Sequence, residues 1–346
     1  MIESTLSPSE PVLLPDRPFG RVVRSVFGYA LAIALMILTP IVVFVPAALL
    51  HCALRNGRRA AWATLALALA LAGGYVAAVP GQSPDAVYMA WTYLAAVAAA
   101  ISLPAMLVLP LVERGEKFGR VLAFLLIGSA IGLALTELGS RTLLSFSPYD
   151  AQVQQARLSN ASVVQLYRAN HAGPEMIRFA EKWSVYSLFV LPGSMLIVIS
   201  LVFILSLMML GRLPAWRNWV ARRGDPEMGS VYFFRNLALP DWMLFAFILG
   251  GLTPLATGML QKAAANTLAV VAFLYILQGL AIFRFVLVAV GAGLTGTLLA
   301  WTLLGFLTLA GGVGPLLLGV AGLFDPFFDF RNFKKRKDDS HESHSD

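Results

Sequence analysis

The sequence predicts an all-α fold: a polytopic membrane bundle of about 8–10 segments, several of them broken by proline or glycine. Hydrophobic residues make up 58% of the 346 residues and charged residues only 13%, a balance typical of membrane proteins rather than soluble domains. Most of the apolar runs are about 20 residues long, which is enough for one helix to cross a bilayer. The loops between them are short and charged, so no separate soluble domain is expected.

The predicted organisation has three parts. Residues 1–23 form a polar lead-in whose prolines oppose helix formation. Residues 24–324 form the transmembrane domain, with an external insertion at 141–182 and a cytoplasmic loop at 211–239. Residues 325–346 begin as an aromatic interfacial segment and continue as a charged tail, which is expected to be disordered.

The first apolar stretch is predicted to be a helical hairpin or re-entrant pair over 25–39 and 41–54. Pro40 and Pro46 interrupt it, and proline disfavours a continuous helix. Both of its flanks are basic, whereas one straight span would place them on opposite sides of the membrane. The segments that follow are expected at 60–79, 86–112, 118–139, 183–210, 241–260, 263–285 and 286–309, with 316–324 re-entering after a tight turn.

Two stretches leave alternatives open. Gly128 and Gly132 are four residues apart, and small residues at this spacing let helix backbones approach closely in lipid. They indicate either ordinary packing within the chain or a docking face for a partner. The external insertion predicts one or two short amphipathic helices over the outer mouth of the bundle, which act as a lid or simply lie at the membrane interface.

The basic residues predict the orientation. The net charge of +7 does not indicate nucleic-acid binding, because twenty of the 26 lysines and arginines fall on one side of the predicted segments. Loops rich in lysine and arginine stay in the cytoplasm, so both termini are expected there, in the inner membrane of a bacterium. Anionic membrane lipids are the expected partners of these loops.

Polar side chains inside the apolar runs are the candidate ligand-binding residues. They are Glu137, Asn266, Tyr275 and Gln278. A polar group in hydrocarbon is costly, so such residues usually face a protein interior or a wet cavity. We predict that they line a cavity for a small-molecule ligand. The alternative is that they form hydrogen bonds between helices.

Other polar residues are assigned structural or interfacial roles. Asp241 suits a helix N-cap beside Trp242, which is expected at the membrane interface. Arg284 ends an apolar run, and its long side chain is expected to reach the cytoplasmic headgroups.

The last apolar run ends in a charged and aromatic segment. Asp325 and Asp329 are one turn apart if this segment is helical, and either can pair with Arg331. We predict that this group fixes the last helix in place rather than carrying out catalysis.

Several chemical motifs are absent from the sequence. It has no G-x-x-x-x-G-K-[ST] and no H-E-x-x-H, and only His51 and His171 lie outside the tail. We therefore expect no enzymatic activity, no cofactor and no metal site. Energy from ATP would have to come from partner subunits, such as an ATPase.

The C-terminal half carries a family resemblance. The ordered motifs are Pro240-Asp241-Trp242, Asn266, Tyr275-x-x-Gln278-Gly279-Leu280, Leu323-Phe324-Asp325 and Asp329-Phe330-Arg331. They resemble the YybS-like family of predicted bacterial membrane proteins, a family of unknown function. That family is distantly similar to the S-components of energy-coupling-factor transporters, which capture vitamins near the outer face. The resemblance implies binding or translocation of a small solute; the alternative is a non-catalytic membrane scaffold or envelope assembly factor.

Overall fold

The computed structural model describes residues 19–80, 83–225, 227–309, 312–328 and 330. Every regular element within these ranges is helical, which confirms the all-α class. The α-helices are α1 (Phe19–Ile37), α2 (Val45–Asn56), α3 (Arg58–Ala78), α4 (Pro84–Val97), α5 (Leu103–Leu107), α6 (Leu109–Arg114), α7 (Phe118–Leu144), α8 (Pro148–Ala169), α9 (Pro174–Phe189), α10 (Leu191–Leu210), α11 (Pro214–Arg223), α12 (Met243–Gly251), α13 (Gly258–Ala289), α14 (Leu294–Leu309) and α15 (Val313–Phe328). The polar lead-in up to residue 18, Asp329, and the tail that begins at Arg331 lie outside the described residues.

The multi-pass membrane architecture is confirmed. Six helical stretches are long and apolar enough to cross a bilayer: Gly20–Ile37, Arg58–Ala78, Ala86–Arg114, Phe118–Leu144, Leu191–Leu210 and Gly258–Ala289. α14 and α15 meet the same criterion only as a pair, with a bend of 110° between them. The number of single-helix spans is lower than the number of predicted segments because α2 and α12 have only 12 and 9 residues.

α1 and α2 form a hairpin, as the two basic flanks suggested. α1 is followed by a 3₁₀ turn, Pro40–Phe44, from which α2 returns. At the end of α2, Asn56 Nδ2 donates a hydrogen bond to Ser25 Oγ at 2.9 Å. This contact brings both flanks together at one end of the bundle. We call this end, where α1 begins and α2 ends, the basic end.

A π-helical turn in the third span explains where the two glycines of α7 pack. The turn is Ala98–Ser102, between α4 and α5. Ser129 Oγ donates a hydrogen bond to a carbonyl of this turn at 2.5 Å. A Cβ on Gly132 would overlap another carbonyl of the turn, and one on Gly128 would lie 3.1 Å from Pro104 Cβ. Gly128 and Gly132 therefore pack within the chain, which is the first of the two alternatives given above; the second was a docking face for a partner.

The segment that was predicted as a span over 241–260 is not one continuous helix. Leu239 N–H is hydrogen-bonded to Gln278 at 2.9 Å, and Gly250 packs closely on Leu268. The segment thus runs antiparallel to α13, back to the first turn of that helix, over about 30 Å at 1.5 Å per residue. Only α12 within it is α-helical, because a glycine pair ends α12 and a proline-containing 3₁₀ turn follows.

The loop between α10 and α12 folds against the basic end through aromatic packing. Trp216 and Tyr232 are fully buried, with ring centroids 5.0 Å apart, and Phe118 packs edge-on against Tyr232 at 5.9 Å. Burial raises the pKa of Tyr232, and the Glu116 carboxylate adds to this shift. The phenol is therefore neutral at physiological pH, and it contributes packing rather than charge.

α13 lies at the centre of the second half of the chain. It packs against α10, α12 and α15. Its crossing with α15 is made by two glycines, Gly279 and Gly322. A Cβ on Gly279 would overlap the Leu318 carbonyl, and one on Gly322 would overlap the Tyr275 carbonyl. Only glycine at both positions allows the two backbones to approach this closely.

The segment that was predicted to be an external insertion forms an antiparallel helical hairpin of α8 and α9. Asn160 Nδ2 donates a hydrogen bond to Ser187 Oγ at 2.9 Å, and Arg168 pairs with Glu181 at 2.6 Å. No residue of α8 is buried, and Ala180 is the buried residue of α9. The two helices therefore pack mainly on each other and leave most of their surface exposed.

Candidate functional site: an arginine-lined pocket at the basic end

An open pocket of about 530 Å³ lies between α1 and α2 at the basic end. Its lining residues are Arg21, Arg24, Ser25, Arg55 and Asn56. The three residues on α1 share one face of the helix, because they are three and four positions apart. The other two form the last turn of α2. The pocket is therefore a product of the hairpin, which closes two distant parts of the sequence onto each other.

The floor of the pocket is a chain of polar contacts that leads into the hairpin. Besides its bond to Ser25, Asn56 Nδ2 lies 3.7 Å from Cys52 Sγ. Cys52 Sγ is in turn 3.4 Å from Thr64 Oγ1 on α3. These contacts link α1, α2 and α3 beneath the arginines and fix the Asn56 amide at the base of the cavity.

The pocket is positively charged and lacks acidic residues in its lining. Among the described residues, no carboxylate lies within ion-pair distance of its three arginines. The nearby acids of the α6–α7 turn have other partners: Glu113 is paired with Arg58, and Glu116 with Arg120 at 2.9 Å. The pocket thus offers guanidinium, hydroxyl and amide donors, a set that suits an anion.

Glu137 lies at the opposite end of the bundle, where protein groups bind its carboxylate. It accepts hydrogen bonds from Arg141 Nε at 2.5 Å, Ser147 Oγ at 2.6 Å and the Tyr149 backbone N–H at 3.0 Å. These partners lie where α7 leads into α8. Glu137 therefore fixes the start of the hairpin of α8 and α9.

Asn266 holds the break between α9 and α10. Its Oδ1 accepts a hydrogen bond from Gly193 N–H at 2.5 Å. Its Nδ2 donates to the carbonyls of Phe189 at 3.1 Å and Lys262 at 2.7 Å. A helix interrupted by proline leaves backbone groups without helical partners, and this amide satisfies two of them.

Gln278 on α13 is bonded both to the segment before α12 and to α15. Its Oε1 accepts from Leu239 N–H at 2.9 Å, and its Nε2 donates to Asp325 Oδ2 at 3.0 Å. Gln278 is 1% exposed and Asp325 8%. Tyr275 is buried one turn away, edge-on to Phe247 at 5.7 Å. Asp325 therefore joins the last helix to α13 through Gln278; Arg331, the partner predicted for it, is not among the described residues.

The structure places the four predicted ligand-binding residues in two separate groups. Glu137 and Asn266 belong to one network, because Lys262 also donates to Tyr149 Oη at 2.5 Å. Tyr275 and Gln278 form the second group, and Gln278 lies about 18 Å from Asn266 along α13. The Glu137 carboxylate and the amides of Asn266 and Gln278 are hydrogen-bonded to the protein itself, so these three side chains connect helices to one another. Tyr275 contributes its ring contact with Phe247.

The structure differs from the prediction at Asp241 and shows that Trp242 and Arg284 are exposed. Asp241 is not the N-cap of α12: Trp242 holds that position without a side-chain cap, because a turn from Pro240 to Met243 delays the helix by two residues. Trp242 is 43% exposed. Arg284 is exposed near the end of α13, and its contact with headgroups stays a prediction.

The arginine-lined pocket was missed at the sequence level, although a signal for it existed. The three arginines were used only as evidence for orientation. The predicted hairpin already placed both basic flanks at one end, so their convergence could have been inferred. What the sequence did not reveal is the bond between Ser25 and Asn56, which sets the register of the two helices.

The fold and the pocket together define a class: a multi-pass α-helical membrane protein with a ligand-sized cationic pocket at one end. The family model described as "Predicted membrane protein (DUF2232)" matches residues 25–326. This match covers most of the chain, and the chain belongs to that family. No curated protein and no solved structure matches the chain.

Proposed function

We propose that this protein is a non-enzymatic component of the bacterial inner membrane that binds a small solute in the pocket between α1 and α2. The observation that supports the proposal is the cavity of about 530 Å³, lined by donor groups from both arms of the hairpin. With both termini in the cytoplasm, as the positive-inside rule indicates, the pocket faces the cytoplasm. Translocation of the solute would then depend on partner subunits that supply energy.

The polar groups deeper in the bundle give less support to a solute site. Glu137, Asn266 and Gln278 already have protein partners for the atoms that a ligand would use. Exchanging such a buried bond for one with a solute gains little free energy. A ligand role for these residues and for Tyr275 stays a prediction, and the pocket at the basic end is the preferred site.

Filling the cavity tests this proposal. Ser25→Trp is expected to abolish the stabilisation that a bound solute gives, because the indole would occupy the space between the arginines. A ligand at about 100 times its Kd stabilises a protein by about 2.7 kcal/mol, so the wild-type melting temperature should rise with the right member of a metabolite panel. The measurement is thermal unfolding of purified protein in detergent, with and without each compound.

Val23→Trp is the matched control for bulk on α1. Val23 is 49% exposed and does not line the pocket, so this variant should respond to the solute as the wild type does. A solute that stabilises Ser25→Trp as strongly as the wild type would place binding elsewhere. A panel that stabilises neither protein would remove the support for solute binding.

A scaffold role is the second candidate, and an exposed apolar seam favours it. The seam consists of two rows, one on α9 and one on α10, and neighbouring members within each row are three or four residues apart. Its exposed apolar members are Met176, Phe179, Trp183, Tyr186, Val198, Leu201 and Leu205. This spacing is the one along which helices pack lengthwise against each other. In this role, a second copy of the chain would cover the seam.

Cysteine cross-linking tests the scaffold role. The single cysteine, Cys52, is buried, so a Cys52→Ser background provides a chain without thiols. Trp183→Cys in this background is expected to form a disulfide-linked dimer in membranes under mild oxidation. Val185→Cys is the control, since Val185 is 72% exposed but lies outside the seam. Equal cross-linking at both positions, or none at Trp183→Cys, would speak against a paired seam.

A further inference from the structure

We infer that the ligand of the basic-end pocket carries a phosphate group, held by the guanidinium groups of Arg21, Arg24 and Arg55. This inference rests on the proposed function, because it assigns a chemical class to the solute of the same pocket. The phosphate could belong to a soluble phosphate ester or to the headgroup of an anionic lipid. Both sources present phosphate oxygen atoms to the three arginines, and a soluble monoester carries more negative charge than the diester of a lipid headgroup.

The first argument is the charge of the cavity. Arg58 and Arg120, at the same end of the bundle, each have a glutamate partner, whereas the three pocket arginines have no such partner among the described residues. Three like charges around one cavity repel each other. A phosphate monoester carries a charge of about −1.5 to −2 at pH 7 and relieves this repulsion more than a single carboxylate can.

The second argument is the geometry of the donors. Guanidinium groups present paired N–H donors that match the oxygen atoms of phosphate. Arg21 and Arg24 approach the cavity from one side and Arg55 from the other, so a phosphate between them can be contacted from both arms. Ser25 Oγ accepts its bond from Asn56, which leaves the serine hydroxyl proton available as an additional neutral donor.

The third argument is the position of the pocket in the membrane. The first membrane-spanning stretch begins at Gly20, so the lining arginines of α1 occupy its first turns. Basic pockets between helix ends at this level bind phosphate headgroups in membrane proteins. The same location is open to the cytoplasm and to its soluble phosphate esters. The position of the pocket thus fits both a lipid headgroup and a soluble phosphate ester, and the experiment below distinguishes them.

The test uses full-length protein in nanodiscs that contain only phosphatidylcholine. Binding of glycerol phosphate and of inorganic phosphate is measured by calorimetry, and retention of phosphatidylglycerol by native mass spectrometry after its addition to the nanodiscs. Arg24→Gln and Arg55→Gln are each expected to weaken binding about tenfold, the loss of one charge-assisted contact from an exposed arginine. Arg24→Lys should keep part of the affinity, because it keeps the charge.

Arg59→Gln is the control, since Arg59 is exposed in the same region but does not line the pocket; this variant should bind the ligand as the wild type does.

Binding of glycerol phosphate in pure phosphatidylcholine supports a soluble ester, and selective retention of phosphatidylglycerol supports a headgroup. Equal loss in Arg59→Gln and Arg24→Gln would overturn the inference, since it would indicate diffuse attraction to basic loops. A phosphate-free solute that is lost in Ser25→Trp but kept in the arginine variants would overturn the inference and leave the proposed function standing. If neither a phosphate-bearing ligand nor a phosphate-free solute binds the wild type, the inference and the proposed function both fail.

Discussion

Replacing Gly279 with alanine is expected to destabilise the protein by about 2–3 kcal/mol, although the change adds a single methyl group. The new Cβ would overlap the Leu318 carbonyl on α15. A backbone carbonyl inside a helix cannot rotate away as a flexible side chain can. Relief therefore requires α13 and α15 to separate along their whole contact, which also weakens the packing around Gly322.

Gly305→Ala gives this prediction its control, because the same substitution should act in the opposite direction there. Gly305 lies inside α14, and a Cβ at this position meets no atom within 4 Å. Alanine is favoured over glycine in a helix interior by about 1 kcal/mol, so Gly305→Ala should be neutral or slightly stabilising. Both variants are compared by unfolding in detergent, followed by circular dichroism. Equal stability of the two variants would show that α13 and α15 do not cross as closely as described.

The prediction of the fold from sequence succeeded for features that depend only on the order of residues along the chain. The length and apolarity of the runs predict the spans, and the two basic flanks predict the hairpin of α1 and α2. The segment before α13 shows the limit of this approach. Its composition is that of a span, but Gly250-Gly251 and Pro254 divide it, and the contact of Gly250 with Leu268 of α13 positions the divided segment. Sequence patterns alone do not contain that contact.

The candidate site shows the same limit for side chains. Asn266 and Gln278 were correctly singled out as unusual residues in an apolar helix. A polar residue in a membrane helix can face a cavity or a neighbouring backbone, and these two possibilities look the same in a sequence. The partners of Asn266 lie at a break some 70 residues earlier, as the separation of 73 residues from Gly193 shows. The pocket arginines had the reverse problem: they resembled ordinary basic loop residues until the hairpin brought them together.

Replacing Gln278 with methionine is expected to be the most destabilising side-chain change at the polar contacts, at about 2–4 kcal/mol. Methionine has a similar length and fills the same space, so the cost comes from hydrogen bonding rather than from a cavity. The backbone N–H of Leu239 would lose its acceptor, and the carboxylate of Asp325 would lose an amide donor. Both losses occur in a buried site, where an unpaired polar group is costly.

Two comparisons separate this effect from a general intolerance of α13. Gln261→Met lies on the same helix at a half-buried position, and it should change stability by less than about 0.5 kcal/mol, as surface substitutions usually do. A double-mutant cycle of Gln278→Met with Asp325→Leu, which removes the acceptor, should give a coupling energy of about 1 kcal/mol or more, because the two side chains are in direct contact. Additive effects in the cycle would contradict the bond between them. Since this bond and the glycine crossing both join α13 to α15, a zero coupling together with a tolerated Gly279→Ala would mean that the last helix is held by something other than the contacts described.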